Sequence, residues 1–372
     1  MALMRASPRL APATTALVGA NVGVFLVMLV FGAGFWHSPN DVQLAWGANF
    51  GPATKDGEWW RLGTAMFLHF GLVHLAMNMW ALWDSGRLVE RLYGSWRFLA
   101  IYLASGLAGN LVSLVAQGDR AVSGGASGAI FGVFGALLVF LVRERRQVDP
   151  SEFRWLFWGG AAFAVGTLAL GFLIRGIDNA AHIGGLGAGA LLGLALGRAL
   201  TLRRPVSRRQ RVLAGATLAL ATALFAFNVP EPRYRMGEEL QARVAIAQFL
   251  NDEHRINDRL REIFQAGKTG SASFDELAGD IEADVSKEYQ DSFEQLAAVE
   301  VAPTVPSAAN LEVLRKYALL RGGAAHALAE ALRANDKEGV QRALDAMRHA
   351  PQLAKAASAA AAASAAASAA DR

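Results

Sequence analysis

The sequence predicts an all-α, polytopic membrane helix bundle followed by a helical soluble region. Three observations carry that expectation. Long apolar runs recur seven times before residue 230; 53% of residues are hydrophobic and only 18% are charged; and the charge is unevenly spread. A soluble domain carries about 25% charged residues. Residues 1–229 hold 19 Lys+Arg against 10 Asp+Glu, a net of +9, whereas 230–372 hold 17 against 22, a net of −5. Two solvents for two regions is the simplest account of that split. The chain has no cysteine, which excludes disulfides, thiol nucleophiles and cysteine metal sites.

Residues 1–14 read as a cytoplasmic N-terminus, and 15–54 as a first span running into an extracytoplasmic loop. The expected spans are 15–35, 72–92, 97–117, 126–142, 154–174, 180–200 and 211–229. Each is close to the ~20 residues that carry a helix across a hydrocarbon core of about 30 Å, where only helices satisfy the backbone within one segment. The first apolar run is longer than the 7–15 residues typical of a cleavable signal and has no clean small-x-small site before Trp36, so it reads as a retained span. Arg5 and Arg9, then Arg87, Arg91 and Arg97, then Arg143, Arg145 and Arg146, then Arg198, Arg203, Arg204, Arg208, Arg209 and Arg211 mark alternate span ends. By the excess of basic residues on the cytoplasmic side, the N-terminus is inside and residues 230–372 are outside. His74, Ser127 and His182 then stand near the extracytoplasmic beginnings of the second, fourth and sixth spans.

Polar side chains in such spans are costly and face a cavity or a partner; here they are His69, His74, Asn78, Ser127 and His182. Ser127 lies in Gly124-Gly125-Ala126-Ser127-Gly128, at a helix start. Glycines let backbone approach a ligand, and the unbonded N–H groups of a first helical turn suit an oxyanion. The plainer reading is a serine N-cap. His182 lies in Ala180-Ala181-His182-Ile183-Gly184-Gly185 and supplies the base a serine hydroxyl needs. Gly185 and Gly189 share its stripe and form a small-residue face for close helix packing; a buried histidine in an ordinary packing face is the alternative. His74 and Asn78, four residues apart, share one helix face and suit either hydrogen bonding to an oxyanion or an interhelical clamp. No HExxH motif or further ligand set supports a metal, and nothing points to a cofactor or to nucleic acid.

Taken together these segments resemble the rhomboid family of intramembrane serine proteases. His74-Leu75-Ala76-Met77-Asn78 is similar to the family's HxxxN motif, Gly125-Ala126-Ser127-Gly128 to its GxSG motif, Ala181-His182-Ile183-Gly184-Gly185 through Gly189 to its AHxxGxxxG motif, and Trp60-Arg61 to the Trp-Arg pair of its first loop. The resemblance covers about residues 55–200 and implies a six-helix catalytic core with a C-terminal seventh span after a basic loop, at 201–229. It implies a Ser127–His182 dyad, with His74, Asn78 and the Ser127 N–H stabilising the oxyanion, and Gly125, Gly128, Gly185, Gly189 and Phe131 as motif and packing positions. It also implies a water-filled cavity open to the outside, and as partners the lipid bilayer and transmembrane protein substrates cut near their outer ends. Phe131 stands where several members have a tyrosine: the aromatic face is kept and the hydroxyl lost. Asp178, the acid nearest His182, is not read as a third catalytic member. A bacterial inner membrane is the expected location.

Beyond Pro230 and Pro232 the chain reads as an extracytoplasmic helical region over 230–350. Ile281, Val285, Tyr289, Phe293 and Leu296 recur at helical spacing, and Leu311, Leu314, Ala318 and Leu328 continue the pattern. His254, His326 and His349 read as surface residues, and the Ala/Ser-rich tail within 351–372 as a frayed helix or disordered segment. This region carries no site chemistry, and its sequence names no partner. Three function classes meet the residues: an intramembrane protease, a rhomboid-like non-catalytic protein that binds membrane clients, and a transporter with polar helix breaks. The presence of both Ser127 and His182, and the lack of similarity between halves, rank the protease first.

Overall fold

A computed structural model describes residues 11–174, 176–197 and 207–370, the side chains of 360–370 excepted. The described residues are helical, with no strand beyond one isolated bridge between Asn49 and Ser123. The chain divides into two compact units, one ending at Pro232 and the other beginning at Arg233. Arg5, Arg9, Arg198, Arg203 and Arg204, used above for orientation, lie outside the described residues.

The first unit contains seven principal helices: α1 (Pro12–Val30), α2 (Leu72–Tyr93), α3 (Ser95–Gln117), α4 (Ser127–Glu144), α5 (Pro150–Leu173), α6 (Asn179–Ala195) and α7 (Arg208–Phe227). They match the seven expected segments to within a few residues. α1 stops at Val30 rather than 35 because Gly32, with φ +94°, turns the chain away. α1, α3, α4, α5 and α7 are each long and apolar enough to cross a membrane. α2 qualifies only together with the helical stretch Arg61–Phe67, which meets it at 92°, and α6 has just 17 residues. This is an integral multi-pass membrane protein. Exposed tryptophans lie in the loop before α2 (Trp36, Trp59 and Trp60) and near the starts of α3 and α5 (Trp96, Trp155 and Trp158), as expected of interfacial aromatic belts, while Trp80 and Trp83 are exposed midway along α2.

Two acids of this unit, Glu90 and Asp149, satisfy helix N-termini. Glu90, buried on α2, accepts from the Ala13 and Thr14 N–H groups and from the hydroxyls of Thr14 and Ser95; it satisfies the orphan donors of the α1 N-terminus and places negative charge at its positive end. Asp149 caps α5, whose first residue is Pro150, a preferred first position. Gly94, at φ +83°, makes the tight turn from α2 to α3. The core is built from α2, α3, α4 and α6 around Leu82, Tyr93, Ile101, Tyr102, Val133 and Phe140. α5 and α7 are peripheral: only 11% and 6% of their apolar windows are buried, against 72% for α4.

The second unit comprises α8 (Met236–Thr269), α9 (Phe274–Ile281), α10 (Lys287–Ala297), α11 (Ala308–Arg333) and α12 (Lys337–Ala370). Ser273 and Glu276 form a reciprocal capping box at α9. Ile281, Val285, Tyr289 and Leu296 are buried against Ile256, Leu260 and Leu328. A π-turn at Glu282–Ser286 joins α9 to α10; it takes up the excess of a four-residue apolar spacing over the 3.6 of an α-helix. Arg321 is inserted among Tyr289, Asn257 and the Met347 carbonyl, and burial, reinforced by a hydrogen bond to Glu253, pushes the Tyr317 hydroxyl up to about 12. His254, His326 and His349 are exposed. The Ala/Ser-rich tail, expected as a frayed helix or a disordered segment, is helical as far as Ala370, with Pro351 inside α12, consistent with the helix preference of alanine.

Candidate active site

The serine is positioned by a loop fixed on both sides. Asn49 and Ser123 exchange backbone hydrogen bonds of 2.9 and 2.8 Å, and the Gly125 N–H donates to the Ala65 carbonyl at 2.8 Å. The segment that supplies these partners is held by Arg61, whose buried guanidinium donates to the Leu44 and Ala48 carbonyls and to Glu58 while lying over the Trp60 ring at 4.8 Å. Gly125 adopts φ +138°, and a Cβ there would stand 2.9 and 3.0 Å from Cε1 and Nε2 of His74. Only glycine lets the loop turn this way against the imidazole.

At the first residue of α4, Ser127 Oγ lies 2.8 Å from His182 Nε2. With the hydroxyl donating, the neutral ring carries its proton on Nδ1, an atom that has no hydrogen-bond partner among the described residues. His182 is held instead by its flat face: the Phe131 ring, one turn along α4, stacks on it at 4.2 Å and 3°. The two helices touch through their backbones. A Cβ on Gly185 would come within 2.0 Å of the Gly128 carbonyl oxygen, one on Gly189 within 2.0 Å of that of Gly132, and one on Gly128 within 3.4 Å of the Ala181 oxygen. The close approach is therefore set by missing side chains, and it brings the hydroxyl and the imidazole into contact.

His74, in the first turn of α2, accepts from the Phe70 N–H through Nδ1 at 3.4 Å. That bond leaves the proton of a neutral ring on Nε2, the atom facing Gly125. Asn78 is buried one turn further on, but its amide donates to the His74 carbonyl at 2.9 Å. It shares the expected face with His74, while its amide is engaged with its own helix.

Asp178 does not bond to the His182 ring. One oxygen accepts from the Ala181 N–H, capping α6, and the other accepts from the hydroxyls of Ser113 and Ser123, both at 2.5 Å. One carboxylate thus joins α3, the loop leading to Ser127 and the helix carrying His182. Sequence reasoning missed this clamp because its members are single polar residues 55 to 65 positions apart, and it likewise missed buried Asn49 and Asn110, whose amides donate to the Asn110 and Leu62 carbonyls and tie the loop before α2 to α3. His69, singled out only as a polar core residue, is fully buried with its ring 5.0 Å from that of His74. Among the described residues no three His, Cys, Asp or Glu side chains form a group that could hold a metal ion.

The family model described as a Rhomboid domain matches residues 56–199. Rhomboid protease GluP of Bacillus subtilis (strain 168) is 34% identical over 264 residues, covering 68% of this chain and 50% of the relative. RHOMBOID-like protein 5 of Arabidopsis thaliana is 41% identical over 152 residues, or 38% of this chain and 45% of the relative. Rhomboid protease AarA of Providencia stuartii is 31% identical over 235 residues, or 58% and 83%. The chain thus spans about half the length of GluP and of the Arabidopsis protein, and most of AarA. On this similarity, and on the helices that bear it, the chain belongs to the rhomboid family.

Proposed function

We propose that the chain is an intramembrane serine endopeptidase that hydrolyses peptide bonds in or near transmembrane segments of membrane-protein substrates. The observation that carries the reading is the 2.8 Å contact between Ser127 Oγ and His182 Nε2. As His182 Nε2 takes the hydroxyl proton, Oγ attacks the scissile carbonyl carbon and the carbonyl oxygen becomes an oxyanion. The His74 Nε2–H and the Ser127 N–H face that region as donors, and Asn78 joins them when its amide turns from the His74 carbonyl. His182 then gives the proton to the departing amine. A water, deprotonated by the same imidazole, releases the acyl group and restores the serine. The Phe131 face steadies the ring through both transfers.

Labelling of the full chain by a fluorophosphonate, together with cleavage of a reporter transmembrane substrate, tests the assignment. Both should vanish in Ser127→Ala, and cleavage should vanish in His182→Ala. Cleavage that survives Ser127→Ala would overturn the dyad. A wild-type chain that captures the substrate without label or cleavage would point to the non-catalytic client-binding reading.

The same reading places the N-terminus in the cytoplasm, and residues 230–372 outside, of a bacterial inner membrane; the basic clusters at alternate helix ends support it. A C-terminal tag shielded from external protease in intact cells would reverse that orientation.

A further inference from the structure

α7 is peripheral along its length, yet its C-terminal end is seated. Just past that end Val229 is buried with Leu111 and Leu114 of α3, and Leu62 and Phe225 pack around them. Pro230 lies against Gly118, where a Cβ would stand 3.7 Å from the proline Cγ. Lys55 completes the seat. Its ammonium, on a side chain only 15% exposed, donates to the Val229 carbonyl at 3.1 Å and to Glu231 at 2.8 Å. None of these groups belongs to the Ser127–His182 pair or to its oxyanion donors.

Lys55 follows the buried helical turn Gly51–Thr54, and both ends of that turn are tied to the serine loop. The Gly51 N–H donates to the Gly118 carbonyl at 3.2 Å, at the root of the loop that runs from α3 to Ser127. The Thr54 hydroxyl donates to Asn49 Oδ1 at 3.0 Å; Asn49 in turn donates to the Asn110 carbonyl and exchanges backbone bonds with Ser123. From this continuous path we infer that the exit of α7 at Val229 helps to place Ser127, and that Lys55 is the positioning residue through which it acts. The plainer account is a lysine that satisfies a carbonyl past a helix end. It explains the Val229 contact but gives no role to the convergence of Gly51 and Pro230 on Gly118. Glu231 is 89% exposed, so its ion pair adds little, and the partly buried bond to the Val229 carbonyl carries the attachment. The inference rests on the serine-protease reading of the site.

The rate of fluorophosphonate labelling of the full chain and the kinetics of a reporter transmembrane substrate test it. Both are expressed per labelled serine, so that a fraction lost to unfolding does not enter the rates. Lys55→Met keeps the aliphatic stem and loses both bonds. It should lower the labelling rate and kcat together by about ten-fold, the worth of one charge-assisted hydrogen bond, with KM unchanged. Lys55→Arg should recover most of that loss, and Glu231→Gln should change either rate by less than about two-fold. Unaltered rates in Lys55→Met, beside a wild type that labels and cleaves, would overturn the inference. So would a change confined to KM, a loss that Lys55→Arg does not recover, or a fall in Glu231→Gln equal to that in Lys55→Met. A wild-type chain that neither labels nor cleaves would refute the serine-protease reading itself, and this inference with it.

Discussion

Asp178 offers a direct test of whether this site is a dyad held in shape or a triad. Its carboxylate accepts three hydrogen bonds, from the Ala181 N–H and the hydroxyls of Ser113 and Ser123, and none from His182. A lost helix cap costs about 1 kcal/mol, and a hydrogen bond to a charged group contributes about 1.5–3 kcal/mol. Asp178→Ala therefore forfeits about 4–7 kcal/mol, a large share of the ~5–15 kcal/mol that holds a folded protein together. Asp178→Asn is more informative. It keeps the capping oxygen, and its amide can donate to a serine that turns its hydroxyl elsewhere, so the loss falls to about 2 kcal/mol. If part of that loss shifts Ser127 relative to His182, kcat falls about ten-fold, with KM unchanged because Asp178 is engaged by Ser113, Ser123 and Ala181. A triad carboxylate replaced by its amide costs about 10⁴ in serine proteases. The assay is cleavage of a reporter substrate by folded protein, with the unfolding temperature and fluorophosphonate labelling measured on the same sample. A folded Asp178→Asn that loses about 10⁴ in kcat would refute the positioning argument and make Asp178 a catalytic partner. An unchanged kcat with an unchanged unfolding temperature would refute the clamp itself.

Other perturbations separate packing from chemistry. Phe131→Leu keeps bulk and loses the flat face against His182; kcat should fall about two- to twelve-fold, the range of an aromatic stacking contribution, with a small change in unfolding temperature, and an unaltered kcat would remove the stacking role. Gly189→Ala places a Cβ 2.0 Å from the Gly132 oxygen; parting α4 from α6 by about 1 Å should cost about 100-fold in activity. Gly187→Ala, where nothing lies within 4 Å, should be neutral, and equal effects of the two would contradict the contact. In the second unit, burial pushes the Glu239 carboxyl upward, but hydrogen bonds from Arg243 and from the Ser307 N–H and hydroxyl outweigh it and hold it below its usual 4.5. The ionised form therefore stabilises the fold fully above pH 4.5, and that contribution is lost as pH falls through the lower folded-state value. Glu239→Gln should destabilise by about 1–3 kcal/mol near neutral pH, and the difference from wild type, followed by calorimetry, should shrink below pH 4.5; a constant difference would contradict the linkage.

The features legible in the sequence were those with a period or a motif. Seven helices stand where apolar runs of membrane length occur, and a serine and a histidine announced by glycine patterns are in contact. The signal weakened where local and tertiary demands diverge. α2 carries Asp84, Arg87, Glu90 and Arg91, so composition alone barely marks it as a span; Glu90 is tolerated because it caps α1 from 76 residues away, which no local window shows. The stripe through Ile281, Val285 and Tyr289 is helical, yet its spacing of four hides a π-turn. Asp178 looked like a bystander near His182 because its partners, Ser113 and Ser123, are far off in sequence. Asn78 shows the converse: its face was correctly derived from spacing, but the direction of its amide depends on a rotamer that spacing does not specify.

The depth of the reactive pair follows from helix lengths and one hydroxyl. Tyr93 ends α2, and its hydroxyl bonds to the Ala136 carbonyl of α4 and the Gly193 carbonyl of α6 at 3.1 and 3.2 Å. All three helices are therefore pinned near the level where α2 turns into α3. Counting upward at 1.5 Å per residue, Ser127 is about 14 Å above Ala136 and His182 about 16 Å above Gly193. α2, with 22 residues, rises about 33 Å from the same base and matches a hydrocarbon core of about 30 Å. The shortfall of the 17-residue α6 thus falls at its His182 end, and the dyad lies below the far interface rather than at it. A short, glycine-faced α6 thus lets backbone meet backbone on α4 while setting His182 at about the same height as Ser127.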